Sequence, residues 1–299
     1  MAKDPKTIQE QINLLISREM HFHDISKAPQ FLASISYYRL KGYCWEMQED
    51  FNEHLFQKNV YFEDVVELYN FDRTFRLIVF NAIERIEIAL RTKLIYHMSL
   101  SYGAYWHLDE KHFHSKEHFI GLKEKIRKDI SDSSEEFILK HYANHPLEAP
   151  ESWKALEVIT LNTLSKLYSN LKHQLPEKSK IANEFGLNSS KDLSSWLRTI
   201  TFIRNLIAHH SRLWNRAVIT KYSWPARSRF PLLSYFPDEE RRKKIFPILV
   251  AIIYMNDRIN PDNSLKQELF ELFNQFHKTP TYKMGFPPKW RDEPIFKTK

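Results

Sequence analysis

Glycine and cysteine are scarce in this sequence, and each scarcity excludes a class of protein. Five glycines in 299 residues are too few for a turn-rich β fold, and neither of the phosphate-binding patterns GxGxxG and GxxxxGK occurs. A single cysteine, Cys44, excludes a disulfide within the chain and a zinc site built on cysteines. The longest apolar run, IFPILVAIIYM at 245–255, is too short to span a bilayer and predicts a buried helix.

The residues that are abundant favour a globular helical protein. Hydrophobic residues make up 42% of the chain and aromatic residues 14%, enough for a sizeable core. Long segments with apolar residues at helical spacing predict an all-α fold. The net charge of +7 favours contact with nucleic acid, although solubility alone explains the same value. The polar segment MAKDPKTIQE is not a signal peptide, so we expect a cytoplasmic protein with no membrane contact.

Apolar periodicity predicts helices along most of the chain. The longest periodic stretch, 62–99, predicts one long helix or two in line. The segment SYYRLKGYCWEM at 36–47 predicts a loop against the core, and Ser26 is a candidate N-cap. The other predicted helices are 7–20, 26–40, 116–142, 152–172, 177–185, 190–214, 238–256 and 264–277.

The densest cluster of functional side chains is FIRNLIAHHSRLWNR at 202–216. On an ideal helix this segment has an apolar stripe and an opposite basic side. His210 falls in the apolar stripe and is expected to be a buried histidine, whereas His209 faces the polar side and is free for proton transfer. The predicted stripe comprises Trp196, Ile200, Ile203, Ile207, His210 and Trp214. The predicted basic side comprises Arg198, Asn205, Arg212 and Arg216, with Arg204 and His209 near its edges.

Arg204 and His209 form an Arg-x4-His pair whose chemistry suits RNA cleavage without a metal. An imidazole takes or gives a proton near neutral pH, and a guanidinium stabilises the charge that builds on a reacting phosphate. RNA supplies its own nucleophile, the 2′-hydroxyl. We therefore expect both residues to be catalytic, with no cofactor and no metal. A solvated basic helix surface is the alternative.

The pattern by itself is weak, because 17 arginines, 14 histidines and three allowed spacings give about two to three such pairs by chance. The matching pairs are Arg18 with His23, Arg91 with His97, and Arg204 with His209. Arg91 is expected instead to pair with Glu87, four residues earlier on the same helix. The third pair differs because Asn205 follows its arginine and no acidic residue occurs between Arg198 and Arg216.

The segment SWLRTITFIRNLIAHHSRLWNR at 195–216 resembles the signature of the Abi-like family, abortive-infection phage-resistance proteins of the AbiD/AbiF type. The resemblance covers about 30–220. Its other blocks are SYYRLKGYCWEM (36–47), FDRTFRLIVFNAIERIEIALRTKL (71–94) with SYGAYW (101–106), and SWKALEVITLNTLSKLYSNLK (152–172). That family is similar to HEPN domains, helical bundles whose Arg-[Asn/His/Asp]-x3-His motif is the active site of many RNA-cleaving toxins.

The resemblance implies a HEPN-like helical bundle with additional amino- and carboxy-terminal helices. By position, Arg204, Asn205 and His209 match the motif, which implies an endoribonuclease that leaves 2′,3′-cyclic phosphate ends. It also implies a homodimer and an RNA partner, either a structured noncoding RNA or a target. A catalytically inactive binder of structured RNA is the alternative. The predicted segments are 1–60, an N-terminal helical segment; 61–216, the HEPN-like core; and 217–299, a C-terminal helical extension.

Basic residues outside the motif are expected to hold RNA. Basic aromatic patches at 37–43, 221–230 and 287–291 suit stacking on bases, or else packing over the core. The predicted RNA-binding residues are Arg198, Arg212, Arg216, Arg39, Lys41, Arg227 and Arg229, and also His210 as the alternative to its buried role. A metal site is conceivable at the histidine cluster 107–118, but no cysteine, carboxylate triad or HExxH motif supports it, so the cluster is expected to pack or to touch RNA. Cys44 is expected to be structural.

Overall fold

A computed structural model describes residues 4–297 of the chain. Within that range it contains fourteen α-helices and one antiparallel pair of short strands, β1 (Gln48–Asp50) and β2 (Leu55–Phe56), so the predicted all-α fold is confirmed. The helices are α1 (Ile8–Ser17), α2 (Ala28–Ile35), α3 (Tyr37–Cys44), α4 (Phe62–Tyr102), α5 (Lys116–Ser131), α6 (Glu136–Asn144), α7 (Ser152–Ala155), α8 (Leu161–Asn170), α9 (Pro176–Glu184), α10 (Ser190–Ala208), α11 (Glu239–Arg242), α12 (Ile245–Ile259), α13 (Leu265–Gln275) and α14 (Pro294–Lys297).

The long periodic stretch forms one helix, α4, of 41 residues. The loop predicted at 36–47 is wrong, because most of that segment forms α3. Ser36 separates α2 from α3 with a left-handed backbone (φ 70°), and its hydroxyl oxygen accepts a hydrogen bond from the amide of Arg39. Ser26 is not an N-cap, since the carboxylate of Asp24 caps the short turn that contains it.

Two predicted helices are interrupted where short polar side chains bind the backbone. The segment 116–142 forms α5 and α6, and between them the Ser133 hydroxyl accepts a hydrogen bond from the amide of Glu135. The segment 152–172 forms α7 and α8, and Thr160 caps α8 by accepting from the amide of Thr163. Such bonds offer the backbone an alternative to the helical ladder.

The chain forms two compact units. The first contains the described residues up to Leu77 together with Leu269–Thr279, and the second contains Ile78–Glu268 together with residues from Pro280 onward. The boundary falls within α4. These units differ from the segments 1–60, 61–216 and 217–299, and that three-part division stays a prediction.

Aromatic rings fill the core of the first unit. Phe71 of α4 is fully buried and stacks on Phe75 with 5.8 Å between ring centroids. Phe273 and Phe276 pack against Phe71 at 5.5 and 5.9 Å. Each such ring pair adds about 1 kcal/mol beyond the burial of its area, so the α13 segment is held to the α4 segment of this unit.

In the second unit, α10 packs against α8, α9 and α12. The apolar run predicted to form a buried helix becomes α12, whose residues 245–257 are all buried. Pro247 lies in the first turn of α12, where its missing N–H costs no helical hydrogen bond. Because three helices cover α10, only a narrow stripe of its surface is exposed. No helix in the described part of the chain is both long and apolar enough to cross a membrane.

Candidate functional site

The helix that carries the Arg-x4-His pair ends at Ala208, six residues before the predicted end at 214. Two hydrogen bonds close it, from the Ser211 amide to the Leu206 carbonyl and from the His210 amide to the Ile207 carbonyl, both at 2.9 Å. This pattern is a Schellman motif, and His210 takes its left-handed position with φ 55°. The chain leaves the helix axis at this turn, so the residues that follow lie in a loop.

The apolar stripe predicted for α10 is confirmed over its helical part. The buried residues of the stripe are Trp196, Ile200, Ile203 and Ile207. His210 is exposed, so the predicted buried histidine is wrong: the left-handed turn carries its side chain away from the stripe. Trp214 is buried as predicted, but it packs from the loop and not from the helix.

The exposed stripe of α10 is basic and polar. Lys191, Arg198 and Asn205 recur every seven residues along it, and His209 ends it as the C-cap residue. Among the described residues, no carboxylate lies within 4 Å of Arg198. The stripe therefore keeps its positive charge, and the predicted exposure of Arg198, Asn205 and His209 is confirmed.

Arg204 is half-buried at the edge of this stripe. Its guanidinium lies over the ring of Phe80 on α4, with 6.0 Å from Cζ to the ring centroid, a distance at which a cation and a ring attract each other. Within residues 4–297, no carboxylate lies within 4 Å of Arg204, and none of its N–H groups donates to another residue. The ring orients the guanidinium and leaves its five donors available to an anion.

Asn205 and His209 belong to the same last turn as Arg204, where the amide of His209 donates to the Asn205 carbonyl at 3.1 Å. Both side chains are exposed, and neither makes a hydrogen bond to the rest of the described chain. The three residues that match the motif are thus brought to one end of α10. An amide and an imidazole are exposed there beside a half-buried guanidinium, and none of the three side chains has a hydrogen-bond partner in the described chain.

The second Arg–His pair of the sequence has a different environment. Arg91 donates to the Glu87 carboxylate at 3.1 Å, as predicted, and to the carbonyls of Leu156 and Ile159 at 2.9 and 3.0 Å. His97 is buried, and its Nε2 lies 2.8 Å from a carboxylate oxygen. These groups are occupied by the fold, which agrees with a structural role.

The pair formed by Arg18 and His23 is also engaged within the protein. Arg18 donates to the hydroxyl of Tyr37 at 2.7 Å. His23 stacks on Tyr61 with 3.8 Å between ring centroids. Of these three arginine side chains, only that of Arg204 has no hydrogen bond or ion pair within the described residues.

The predicted RNA-binding residues lie on several elements and in both units. Arg212 and Arg216 lie in the loop after α10, and the Arg212 guanidinium is 5.6 Å from the ring centroid of Trp214. Arg39 and Lys41 belong to α3 in the other unit. Arg198 shares the exposed stripe with the motif residues. Of the predicted set, Arg198, Arg212 and Arg216 therefore lie on α10 and on the loop that follows it.

The loop after α10 runs back along the helix. The Thr220 hydroxyl donates to Thr199 at 3.0 Å, and the Ser223 hydroxyl donates to Asp192 in the first turn of α10 at 2.5 Å. At 1.5 Å per residue, Asp192 lies about 25 Å along the axis from His209. The following segment with the exposed Arg227 and Arg229 therefore starts at the opposite end of α10 from the motif.

The aromatic residues of the basic patches mostly pack against the core. Tyr43, Tyr222, Trp224 and Trp290 are buried, whereas Tyr38 is 84% exposed. Packing over the core, one of the two expected roles, therefore holds for those four rings. The exposed cations beside them stay candidates for phosphate contacts.

The histidine cluster divides between core and surface. His107 and His112 are buried, and His114 and His118 are exposed. Burial lowers the pKa of His107 to about 4, so its imidazole is neutral at pH 7. No group of His, Cys, Asp or Glu side chains within residues 4–297 is arranged to hold a metal ion. Cys44 is a buried thiol whose pKa burial raises to about 11, which agrees with a structural role.

The family comparison covers the region that contains the motif. Residues 30–215 match the family model described as Abi-like protein, which is more than half of the chain. No curated protein and no solved structure gives a significant match. The matched range includes Phe80, Arg204 and His209. Sequence reasoning missed Phe80, because no local pattern connects it to an arginine so much later in the chain.

Proposed function

Because this chain belongs to the Abi-like protein family, which indicates a role in abortive-infection resistance to phage, we propose that it is a metal-independent endoribonuclease acting in that defence. Arg204, Asn205 and His209 form its active site. The observation that carries the proposal is the state of Arg204, half-buried against the Phe80 ring with no carboxylate partner in the described chain. A guanidinium in that state, one turn from an exposed imidazole, suits a phosphate diester.

The reaction needs two proton transfers and charge stabilisation. A base takes the proton of the 2′-hydroxyl, its oxygen attacks the adjacent phosphorus, and the bond from phosphorus to the 5′-oxygen breaks as that oxygen takes a proton. The products are a 2′,3′-cyclic phosphate and a 5′-hydroxyl. His209 performs one of the proton transfers, and Arg204 stabilises the charge on the phosphate oxygens. Asn205 orients these two side chains.

The proposed active form is a homodimer. The motif turn of one chain supplies one His209, whereas the reaction uses a base and an acid on opposite sides of the phosphorus. Two copies that face each other through the ends of α10 would supply both imidazoles. The exposure of Asn205 and His209 at the very end of the helix supports such a facing arrangement, because no other described element covers them.

The proposed partner is RNA, as target or as a structured noncoding RNA that restrains the enzyme in the cytoplasm. Arg198, Arg212 and Arg216 would hold phosphates that flank the scissile one, and His210 would extend the same surface. Cations that contact phosphates release condensed counterions, so the RNA affinity should fall steeply with salt.

The test is RNA cleavage in EDTA after co-purified RNA has been stripped from the protein. Wild type is compared with Arg204→Gln and His209→Gln on single-stranded and structured RNA. The matched controls are Arg127→Gln, which removes the same charge from an exposed position on α5, and His145→Gln, which removes an exposed imidazole after α6. We expect at least about a 100-fold loss of rate in both motif variants and wild-type rates in both controls.

The products and the failures are informative as well. Ends other than 2′,3′-cyclic phosphate, or strict metal dependence, would contradict the proposed mechanism. If no protein cleaves under any activating condition while salt-sensitive RNA binding survives His209→Gln, the chain is a non-catalytic RNA-binding protein.

A further inference from the structure

A cleft of about 480 Å³ lies in the second unit between the loop 217–222 and α11. This volume lies within the range of small-ligand sites. Val218 and Ile219 contribute apolar wall, and Ile219 is 76% exposed. Tyr222 and Arg242 contribute the polar groups considered below.

The hydroxyl of Tyr222, a residue that lines this cleft, is an unused donor. The Tyr222 side chain is only 6% exposed, and its hydroxyl oxygen is buried without a hydrogen-bond partner in the described structure. Burial raises the pKa of this phenol, and the charge of Arg242 offsets that only in part, so the hydroxyl keeps its proton. A buried polar group that finds no partner in the protein costs free energy, and a ligand atom in the cleft would relieve that cost.

Arg242 is the second unused donor group. It is half-buried, its Cζ lies 5.7 Å from the ring centroid of Phe236, and no carboxylate of the described chain lies within 4 Å of it. Glu239 also lines the cleft, but its carboxylate pairs with Lys221 at 3.3 Å. A guanidinium and a phenol hydroxyl that meet in one cleft select an anion with several oxygen acceptors.

The cleft is close to the motif along α10. Its wall residue Thr220 is bonded to Thr199, which precedes Arg204 by five residues and so by about 7.5 Å along the axis. Thr199 and Arg204 are about 140° apart around that axis, so an RNA strand that reached both Arg204 and the cleft would have to wrap partly around α10. The apolar wall beside the two donors fits the ribose or base that a phosphate ester carries, which bare phosphate lacks.

We propose that this cleft is a phosphate-ester subsite, with the Arg242 guanidinium and the Tyr222 hydroxyl as donors and Val218 and Ile219 as the surface for the attached nucleoside. The choice of RNA as the natural source rests on the proposed function, whereas the donor set and the cleft do not. A free nucleotide offers the same chemistry and is the second possible source.

The test measures binding rather than cleavage. Affinity for a labelled 12-nucleotide single-stranded RNA and for adenosine 5′-monophosphate is measured in EDTA with the full chain, stripped of RNA. The variants are Tyr222→Phe and Arg242→Gln. The controls are Arg241→Gln, the exposed neighbour in α11 that removes the same charge, and Tyr282→Phe, an exposed phenol far along the chain.

We expect each cleft variant to weaken binding at least about tenfold, because each removes a hydrogen bond to a charged group. Arg242→Gln should also reduce the salt dependence of RNA binding by about 0.7 in the logarithmic slope, the value for one phosphate on a single strand. The control variants should keep the wild-type affinity. Tyr222→Phe should unfold at or above the wild-type temperature, since its hydroxyl has no partner in the protein to lose.

The outcomes separate this proposal from the nuclease proposal. Weakened binding of RNA alone assigns the cleft to the RNA backbone, and weakened binding of the mononucleotide assigns it to a free nucleotide; both support the subsite. Unchanged affinity for both probes in both cleft variants overturns it. If the protein binds through the cleft but never cleaves RNA, the nuclease proposal fails and the subsite stands. If cleavage depends on Arg204 but both cleft variants bind as the wild type does, the subsite fails and the nuclease stands.

Discussion

The Arg–His pair on α4, six residues apart, and the Arg–His pair at the end of α10, five residues apart, have similar spacings and opposite environments. Arg91 is bound by the Glu87 carboxylate and by two backbone carbonyls, and its histidine is buried against a carboxylate. The Arg204 guanidinium has only the face of the Phe80 ring, and the His209 imidazole is exposed without a hydrogen bond in the described chain. An arginine and a histidine at similar spacing thus serve the fold in one place and are available to a ligand in the other.

The difference comes from what each helix meets. Around Arg91, the residues that follow α7 present carbonyl groups that no helix uses, and a guanidinium satisfies them. Around Arg204, the helix ends and the chain turns away, so no described carboxylate or carbonyl reaches the guanidinium. A motif is a functional candidate where its polar groups lack partners in the protein, and the spacing alone does not show this.

The largest expected effect separates the two pairs by activity. Arg91→Gln and His97→Gln should cleave RNA at close to the wild-type rate per folded molecule. The cleavage rate of Arg204→Gln should fall by at least about 100-fold. Initial rates are measured well below the unfolding temperature, with the folded fraction taken from circular dichroism. If fully folded Arg91→Gln loses as much cleavage rate as Arg204→Gln, the two pairs do not differ in function as proposed.

The second effect separates them by stability. Arg91→Met leaves the half-buried Glu87 and two carbonyls without their donor, so we expect a loss of about 3 kcal/mol in the free energy of unfolding. Arg204→Met removes no hydrogen bond and should cost less than about 1 kcal/mol, the range of a cation–π contact. Urea unfolding of both variants measures the difference. Equal losses would mean that Arg204 is also structural.

The third effect uses pH to detect the ion network beside Arg91. Burial alone would raise the pKa of Glu184, but its hydrogen bonds and charge interactions with Lys93 and His97 outweigh burial and lower it below 4.5. The stabilisation is therefore present above the pKa of the unfolded carboxyl and is lost as the pH falls through the lower, folded value. Glu184→Gln should flatten the loss of stability in that acid range, measured by unfolding at a series of pH values. An unchanged pH profile would contradict a stabilising role of the ionised Glu184 carboxylate.

The smallest effect concerns the turn that ends α10. His210 has a left-handed backbone that favours glycine, so His210→Gly should change the unfolding free energy by no more than about 1 kcal/mol. The same variant removes an exposed imidazole beside the motif without disturbing the helix end. A large destabilisation measured by urea unfolding would show that the His210 side chain holds the turn. The end of α10 would then have a structural role, as the Arg–His pair on α4 does.

Local patterns predicted much of the fold. In α4, α12 and the helical part of α10, apolar residues recur at helical spacing because they are the buried residues, so these helices are visible in the sequence. The errors lie where backbone geometry interrupts a period. Ser36 and His210 take left-handed conformations without being glycine, so no residue type announced the break between α2 and α3 or the early end of α10.

The candidate site was predicted only in part for the same reason. Arg204, Asn205 and His209 are neighbours in the sequence, and the helix brings them to one turn. Phe80, Tyr222 and Arg242 are distant from one another in the chain, and their roles depend on which groups lie near them in space. Neither an unsatisfied hydroxyl nor an unpaired guanidinium has a signature in the order of residues.

The sequence by itself determined the helical class, the helical periodicity of 62–99, the Arg-x4-His spacing and the membership of the Abi-like protein family. The tertiary structure alone decided which arginine is bound and which is available, where α10 ends, and which donors face a cleft. The physical reason is that helix formation is encoded in local spacing, whereas burial and hydrogen-bond satisfaction depend on residues that only folding brings together.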